Sequence, residues 1–209
     1  MVVEMLAVVT IDQRSSRGAP QNRADEWAAD LNERFAKELI RPFVTTTGDE
    51  IQGVTKTPNT VVEILLGGIQ QRAWWLGVGI GKVETPLQQT AARSRGEAFY
   101  NARTAVEAAK RSRHGFVVLA ESDRLSSDIQ TVLELLAFLI RRRGHDPMRW
   151  RAVELAREGH STVEIGKAFE ITQQAASKRL LNAGFYEEAQ GRKLAERLLR
   201  EAMGIGNAR

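Results

Sequence analysis

Apolar runs and helical periodicities alternate along the first two thirds of the chain. Residues 5–12, MLAVVTID, form a continuous apolar run that ends in Asp, which predicts a buried strand. Between residues 24 and 39 large apolar residues recur at helical spacing, which predicts a helix that Pro42 stops. Two strand-like runs, 43–47 and 51–55, flank a Gly-Asp-Glu turn and predict a β-hairpin.

Helices and strands continue to alternate beyond the hairpin. The pattern predicts a helix over 57–73, a strand over 74–85, a helix over 95–112, a strand over 115–121 and a helix over 126–144. The order strand, helix, hairpin, helix, strand matches a ferredoxin-like βαββαβ unit with additions after it. We therefore expect an α+β fold, with a βαββαβ sandwich domain over residues 1–144 and an all-α helix-turn-helix domain over residues 145–209.

The C-terminal part of the chain carries helix-capping signals at the spacing of a helix-turn-helix. Ser161 is followed three residues later by Glu164, which predicts a capping box at the start of one helix. Thr172 is placed to cap the next helix, and Gly184 ends it. This arrangement predicts a short helix, a turn and a candidate recognition helix.

The candidate recognition helix has an apolar and a polar side. Ala176 and Leu180 are expected to face the core, which leaves the polar side for base edges and phosphates of double-stranded DNA. Glutamine can pair with adenine, while lysine and arginine bind phosphate or guanine. The predicted DNA-binding residues are Thr172, Gln173, Gln174, Ser177, Lys178 and Arg179. The alternative is that these helices contact another protein.

Charge is distributed unevenly between the two parts of the chain. Residues 141–209 hold 14 Lys/Arg and 9 Asp/Glu, a net charge of +5, whereas residues 1–140 hold 16 and 17, a net charge of −1. A basic excess confined to one region favours nucleic acid as the partner, although a solvated helical surface has the same composition. The basic run at residues 141–143 could contact DNA phosphates or cap the end of a helix.

Carboxylates lie at the end of the first predicted strand and at the hairpin tip. In a βαββαβ unit these two points can share one edge of the sheet, which would bring Asp12 and Asp49 together with Glu50 nearby. Close carboxylates repel unless a cation or proton lies between them, and Mg²⁺ prefers oxygen ligands shared with phosphates. Asp12, Asp49 and Glu50 are thus candidate metal ligands, and Arg14 and Arg17, which follow Asp12, could then meet phosphate oxygens. The alternative is ordinary turn chemistry.

Four motifs carry a resemblance to the catalytic domain of class III nucleotidyl cyclases: the strand-end Asp12, the Gly48-Asp49 hairpin, the strand GVGIGKV at 77–83 and the segment RGEAFYNAR that leads into a helix. The resemblance implies a cyclase-like fold and a nucleotide held with Mg²⁺. The nucleotide-binding residues expected from it are Ser16, Arg17, Gly48 and Arg103. The positions of the family's transition-state Asn and Arg fall on Tyr100 and Thr104, so no catalytic residue is assigned.

The same motifs resemble the SatD family over more of the chain. The pattern comprises IDQRSSR, TTTGDEIQG, GVGIGKV and GEAFYNARTAVEAA in one order. The resemblance implies the fold of the front domain rather than a defined activity.

Several protein classes are disfavoured by the composition. The chain has no cysteine, so disulfides and thiolate metal sites are absent, and its three histidines have no metal-ligand spacing. No apolar run is long enough to cross a membrane and no signal-peptide pattern is present, which predicts a soluble cytoplasmic protein.

The function expected from these features is that of a bacterial DNA-binding regulator. Its front domain would sense a nucleotide with Mg²⁺, and the protein could form a homodimer. One alternative is a nucleotidyl-transfer enzyme that uses Asp12 and Asp49 as metal ligands. Another is a non-catalytic adaptor that binds proteins.

Overall fold

The computed structural model describes residues 4–14, 23–144 and 146–206, and within them the chain is α+β. The strands are β1 (Glu4–Gln13), β2 (Leu39–Thr47), β3 (Glu50–Thr55), β4 (Trp74–Val83) and β5 (Phe116–Leu119). The helices are α1 (Arg23–Arg34), α2 (Pro58–Gln71), α3 (Glu97–Ala109), α4 (Asp123–Arg143), α5 (Pro147–Arg157), α6 (Thr162–Ala168), α7 (Gln173–Asn182) and α8 (Phe185–Ala202). The α+β class predicted from the sequence is confirmed.

The strands form one mixed sheet in the order β2-β3-β1-β4-β5. β1 lies in the centre and pairs antiparallel with both β3 and β4, while β5 adds to β4 in parallel. The first four strands have the order and pairing of a βαββαβ unit. This topology places the end of β1 beside the start of β3 and the start of β4.

The two faces of the sheet are covered by different helices. Alternate residues of β1 point to opposite faces, so Val9 and Ile11 join the core beneath α1, α2 and α4, whereas Leu6 and Val8 join a smaller core beneath α3. Asp12 points to the α3 face, because Asp12 lies two residues from Thr10 and four from Val8 along β1.

Alternating glycines in β4 let α3 approach the sheet closely. A Cβ placed on Gly77 would lie 2.3 Å from the backbone nitrogen of Val106, and one on Gly79 would lie 2.1 Å from that of Ala102. The facing side of α3 is lined by small buried residues such as Ala98. The GVGIG segment is therefore required by backbone packing, which fixes α3 over the sheet.

The first helix is shorter than the sequence predicts. α1 ends at Arg34, and Pro42 lies inside β2 rather than after a helix. The side chain of Asn32 holds the new direction, because its Nδ2 donates to the carbonyl of Phe43 (2.9 Å) and its Oδ1 accepts from the Phe43 backbone N–H (2.6 Å). β2 is an edge strand whose register shifts between Arg41 and Val44, which accommodates a residue without an N–H.

The C-terminal helices divide between two cores. α5, α6 and α7 enclose a small core of their own that includes Val153, Ile165 and Leu180. α8 leaves this group and packs on α2 and α4, where Ala195 and Leu199 join the main core of the sheet region. In the ranges that the structure covers, no helix has the length and apolar character needed to cross a membrane.

Candidate functional site

The end of β1 brings two carboxylates together on the α3 face. In the β1–β3 ladder Asp12 lies opposite Glu50, and in the β1–β4 ladder it lies opposite Trp75. Directly opposed residues on neighbouring strands point to the same face with Cβ atoms about 5 Å apart, and like charges there are destabilising. The sequence predicts Asp12 and Asp49 together with Glu50 nearby, and the ladder places Glu50 directly opposite Asp12.

Each of these two carboxylates has a cationic partner on α3 or just after it. Lys110 Nζ lies 2.7 Å from Asp12 Oδ2 and also pairs with Glu107 (3.0 Å). The hydrogen bond to Asp12 raises the pKa of Lys110 above its ordinary value, so the ammonium group stays charged. Arg103 Nη1 lies 3.3 Å from Glu50 Oε2, and Thr46 donates to the other oxygen (2.7 Å).

These contacts decide how the acidic residues fit Mg²⁺. No group of three or more His, Cys, Asp or Glu side chains that could hold a metal occurs among the described residues. Asp12 and Glu50 do not fit a pre-formed Mg²⁺ site, since an ammonium and a guanidinium group already neutralise them. Asp49 differs: its Oδ2 is buried and has no hydrogen-bond partner in the ranges described.

Of the four predicted nucleotide-binding residues, the structure describes two. Ser16 and Arg17 lie outside the described residues. Gly48 is exposed at the hairpin tip with φ of +63°, a left-handed conformation that favours glycine. The side chain of Arg103 is 64% exposed while it pairs with Glu50, so it is accessible to a ligand above the sheet.

The positions where cyclases carry their transition-state residues are exposed on α3. Tyr100 is 70% exposed and Thr104 is also on the surface. The nearby Asn101 points the other way, because its Nδ2 donates to the carbonyl of Ile80 (3.0 Å). Asn101 therefore anchors α3 to β4.

The starts of α6 and α7 carry the caps that the sequence predicts, and a tight turn connects the two helices. Ser161 and Glu164 form the predicted capping box. Gly166 allows the turn to cross α6, since a Cβ there would lie 2.9 Å from the carbonyl oxygen of Ile171. Glu170 takes a left-handed conformation with φ of +54°, which reverses the chain before Thr172 caps α7.

The polar side of α7 faces solvent. Gln174, Ser177 and Lys178 are exposed and form no side-chain hydrogen bond or ion pair among the described residues, whereas Ala176 and Leu180 are buried as the sequence predicts.

The other predicted DNA-binding residues are partly engaged within the protein. Gln173 is exposed, and its Nε2 donates to Thr162 Oγ1 (3.2 Å). Thr172 accepts from the Ala175 backbone N–H (3.1 Å) as the cap of α7. Arg179 is half-buried with its guanidinium carbon 5.0 Å from the ring centre of Phe169. Thr172 thus makes the capping contact that the sequence predicts, whereas the contact of Arg179 with Phe169 was not indicated by the sequence pattern.

A buried carboxylate joins the helical region to the sheet region, and sequence analysis missed it. Glu188 on α8 is only 1% exposed and accepts from Arg143 at the end of α4 (2.5 Å), from Arg192 (2.7 Å) and from Arg157 on α5. Arg192 also pairs with Glu63 on α2. Burial raises the pKa of Glu188, but the three guanidinium groups lower it by more, so its pKa lies below the ordinary value.

Comparison with known proteins assigns the sheet region. The model of the SatD family matches residues 3–139. The chain belongs to the SatD family. The SatD match spans all five strands and ends within α4, so α5, α6 and α7 lie outside it. No curated protein matches this SatD chain.

Proposed function

We propose that this SatD protein is a DNA-binding regulator whose α7 enters the major groove. The observation that carries the proposal is the face of α7, where Gln174, Ser177 and Lys178 point to solvent from a helix fixed by its own core. A recognition helix needs this combination of a rigid seat and free polar side chains.

Charge supports the same partner. Residues 141–209 carry a net charge of +5, and phosphate contacts supply most of the affinity of a protein for DNA. Lys178 is free to meet a phosphate or a guanine, and Gln174 can pair with adenine. Gln173 would exchange its hydrogen bond to Thr162 for one to a base.

The SatD region is the sensor in this proposal. A phosphate-bearing nucleotide would lie near the hairpin tip, where Arg103 is accessible and Asp49 Oδ2 has no partner in the ranges described. Magnesium could join it at Asp12 only if Lys110 were displaced, because the two charges compete for the same oxygen. A regulator of this kind requires that the ligand bind two conformations of the protein with different affinity.

Fluorescence anisotropy with a pool of random duplexes of about 20 base pairs, two helical turns, tests the DNA-binding half. We expect binding at low salt that weakens steeply as salt rises, because each phosphate contact releases counterions. The Gln174→Ala/Lys178→Ala variant should bind less tightly and show a shallower salt dependence. A Gln89→Ala/Lys37→Ala variant, which changes the same residue types at exposed positions of the sheet region, should bind like the wild type.

Two results would replace this proposal. If the protein shows no affinity for duplexes at low salt, α5–α7 is better explained as an adaptor for another protein. If it forms a product from ATP or GTP with Mn²⁺, and Asp49→Ala abolishes the product, the unpartnered carboxylate of Asp49 belongs to a nucleotidyl-transfer site.

A further inference from the structure

Four arginines converge at one end of the sheet region. Arg14 follows β1, Arg72 caps the C-terminus of α2, Arg113 lies between α3 and β5, and Arg141 lies in the last turn of α4. None belongs to α7, and only Arg14 was predicted from the sequence to meet phosphate, so the cluster as a whole goes beyond the proposed function.

Arg14 is held rigidly at the rim of this cluster. Its Nε donates to the carbonyl of Trp74 (2.7 Å), and its guanidinium carbon lies 3.8 Å from the ring centre of Trp75. Its Nη2 occupies the space beside Gly115, where a Cβ would lie 1.5 Å from that nitrogen. The guanidinium group is therefore positioned without a carboxylate.

Arg141 is fixed by backbone carbonyls. Its Nη2 donates to the carbonyl of His114 (3.0 Å) and its Nη1 to that of Arg113 (3.4 Å). Its Nε is buried and has no partner in the ranges described, and the same holds for Nδ1 of His114. A positioned guanidinium group with an N–H left unpaired is a component that anion sites use.

Among the described residues no carboxylate forms an ion pair with these arginines, although Glu134 acts electrostatically on the neighbouring His114. The remaining segments of the chain contain no Asp or Glu side chain. Burial, and then the charges of Arg72 and Arg113, lower the pKa of Arg141. Burial, and then the charge of Arg141, lower the pKa of Arg14. Like charges that act on one another and have no ion-pair partner among the described residues favour a bound anion.

We propose that Arg14, Arg72, Arg113 and Arg141 form a binding site for a phosphate-bearing anion. Guanidinium groups match the geometry of phosphate oxygens, and several together suit a di- or triphosphate better than a single phosphate. The phosphates come either from a free polyphosphate or nucleotide or from a DNA backbone. The site lies at the end of α4, two residues before the buried Arg143, so an anion there would act on the helix that leads into α5.

Isothermal titration calorimetry at matched ionic strength separates the two sources. The probes are sodium pyrophosphate, ATP and a duplex of about 20 base pairs, two helical turns. The test variant is Arg72→Gln/Arg113→Gln, since both side chains are exposed and make no contacts among the described residues that folding would lose. The matched control is Lys193→Gln/Arg197→Gln, which removes the same net charge from exposed positions of α8.

The site is supported, with a free ligand, if pyrophosphate or ATP binds saturably and the test variant weakens binding at least about tenfold through two lost charge-assisted contacts. It is supported, with DNA as the source, if only the duplex binds and only the test variant weakens it. The proposal is overturned if no probe binds, or if the test and control variants bind alike. Pyrophosphate binding does not depend on α7, so a failure of the DNA-binding proposal leaves this test intact.

A second, independent observation concerns an apolar stripe on the outer side of α4. Leu135 is 62% exposed and Phe138 is 56% exposed, beside Val132 and Leu139 in a groove that Leu194 of α8 closes. Isolated exposed apolar residues are common, but a contiguous stripe at the spacing of a helix seam is typical of an interface.

The charges at the two ends of this stripe identify its occupant. Asp128, which also pairs with Arg124 of its own helix (3.0 Å), lies seven residues before Leu135, and Arg142 lies seven residues after it on the same side of the helix. If two copies of α4 pair antiparallel around Leu135, Asp128 of one copy lies opposite the partner's Arg142, and the reverse pair forms by symmetry. We infer that a second copy of this chain covers the stripe.

Sedimentation velocity tests the self-association. Leu135→Glu should abolish the dimer, while Leu181→Glu, at an equally exposed position on α7, should leave it intact. Asp128→Arg and Arg142→Asp should each weaken the dimer, and the double charge reversal should restore it. A protein that stays monomeric over a wide concentration range, or a double reversal no better than the single ones, would overturn the inference.

Discussion

Arg141 and Arg143 lie two residues apart on α4 and have opposite electrostatic surroundings. Arg143 is 1% exposed and bonds to the carboxylate of Glu188 and the carbonyl of Ala183. Arg141 bonds only to carbonyls, near Arg72 and Arg113. The first arginine has its counter-ion within the fold, whereas the second lacks one in the described part of the chain.

The difference separates a structural arginine from a candidate binding arginine. A buried guanidinium group is retained in a fold when a carboxylate and carbonyls bind most of its N–H groups, as at Arg143, whose Nε and Nη2 are bonded while Nη1 has no partner among the described residues. Repulsion between a fixed guanidinium group and neighbouring arginines does not stabilise the fold. The surroundings of Arg141 are therefore better explained by a bound anion. The sequence run RRR at 141–143 contains both kinds, with the exposed Arg142 as a third.

Removing the carboxylate should give the largest effect. Glu188→Gln leaves the buried Arg143 without its charge partner, so we expect the free energy of unfolding to fall by about 3–5 kcal/mol, the range seen when one partner of a buried ion pair is removed. Urea denaturation measures this change. Glu187→Gln on the exposed side of α8 should change it by less than about 0.5 kcal/mol. Equal changes in the free energy of unfolding for the two variants would show that Glu188 does not join the helical region to the sheet region.

Single substitutions of Arg143 and Arg141 should have different effects on the free energy of unfolding. Arg143→Gln should lower the free energy of unfolding by about 1–3 kcal/mol, because buried acceptors on Glu188 and Ala183 lose a donor. Arg141→Gln should change it by less than about 0.5 kcal/mol, since lost carbonyl contacts are offset by relieved repulsion. The same urea denaturation compares them. A larger loss at Arg141 would contradict the distinction.

Acid should weaken the Glu188 contacts selectively. Because the folded-state pKa of Glu188 lies below its ordinary value, its contribution is complete above about pH 4.3 and is lost as the pH falls through the folded-state pKa. We expect the difference in unfolding free energy between wild type and Glu188→Gln to shrink over that acid range. A difference that does not change down to the acid limit of folding would argue against the ionised pair.

The smallest expected effect concerns stability in phosphate. If the cluster around Arg141 binds anions, pyrophosphate should raise the melting temperature of the wild type above that in chloride of equal ionic strength. The rise should be absent in Arg72→Gln/Arg113→Gln and present in Lys193→Gln/Arg197→Gln. Differential scanning calorimetry measures both. An equal rise in all three proteins would reduce the effect to general salt stabilisation.

Local signals predicted much of the fold. The hairpin, the order of strands and helices, and the caps at Ser161 and Thr172 follow from residues close in sequence, and the structure contains them. The packing of small α3 residues on the alternating glycines of β4 was not predicted, although Ala98 and Ala102 have helical spacing.

Non-local contacts could not be predicted in this way. The end of α1 depends on the hydrogen bonds of Asn32 to Phe43 across the turn between α1 and β2. Hydrophobic periodicity alone predicted a helix that continued to residue 39. The choice of Glu50 rather than Asp49 opposite Asp12 depends on a one-residue register. The buried ion pair of Glu188 with Arg143 connects residues 45 positions apart in sequence, and no local pattern indicates that the two side chains meet.

A bind-and-sequence selection from random duplex DNA tests the central claim, that α7 reads DNA, most directly. The selection is run with and without Mg²⁺ and mixed nucleotides, on the wild type, on Gln174→Ala/Lys178→Ala and on Gln89→Ala/Lys37→Ala. We expect an enriched motif that the first variant loses and the second keeps. A nucleotide effect on the enrichment would support the sensing role of the SatD region. Enrichment of no motif under any condition, or of the same motif by all three proteins, would contradict the central claim.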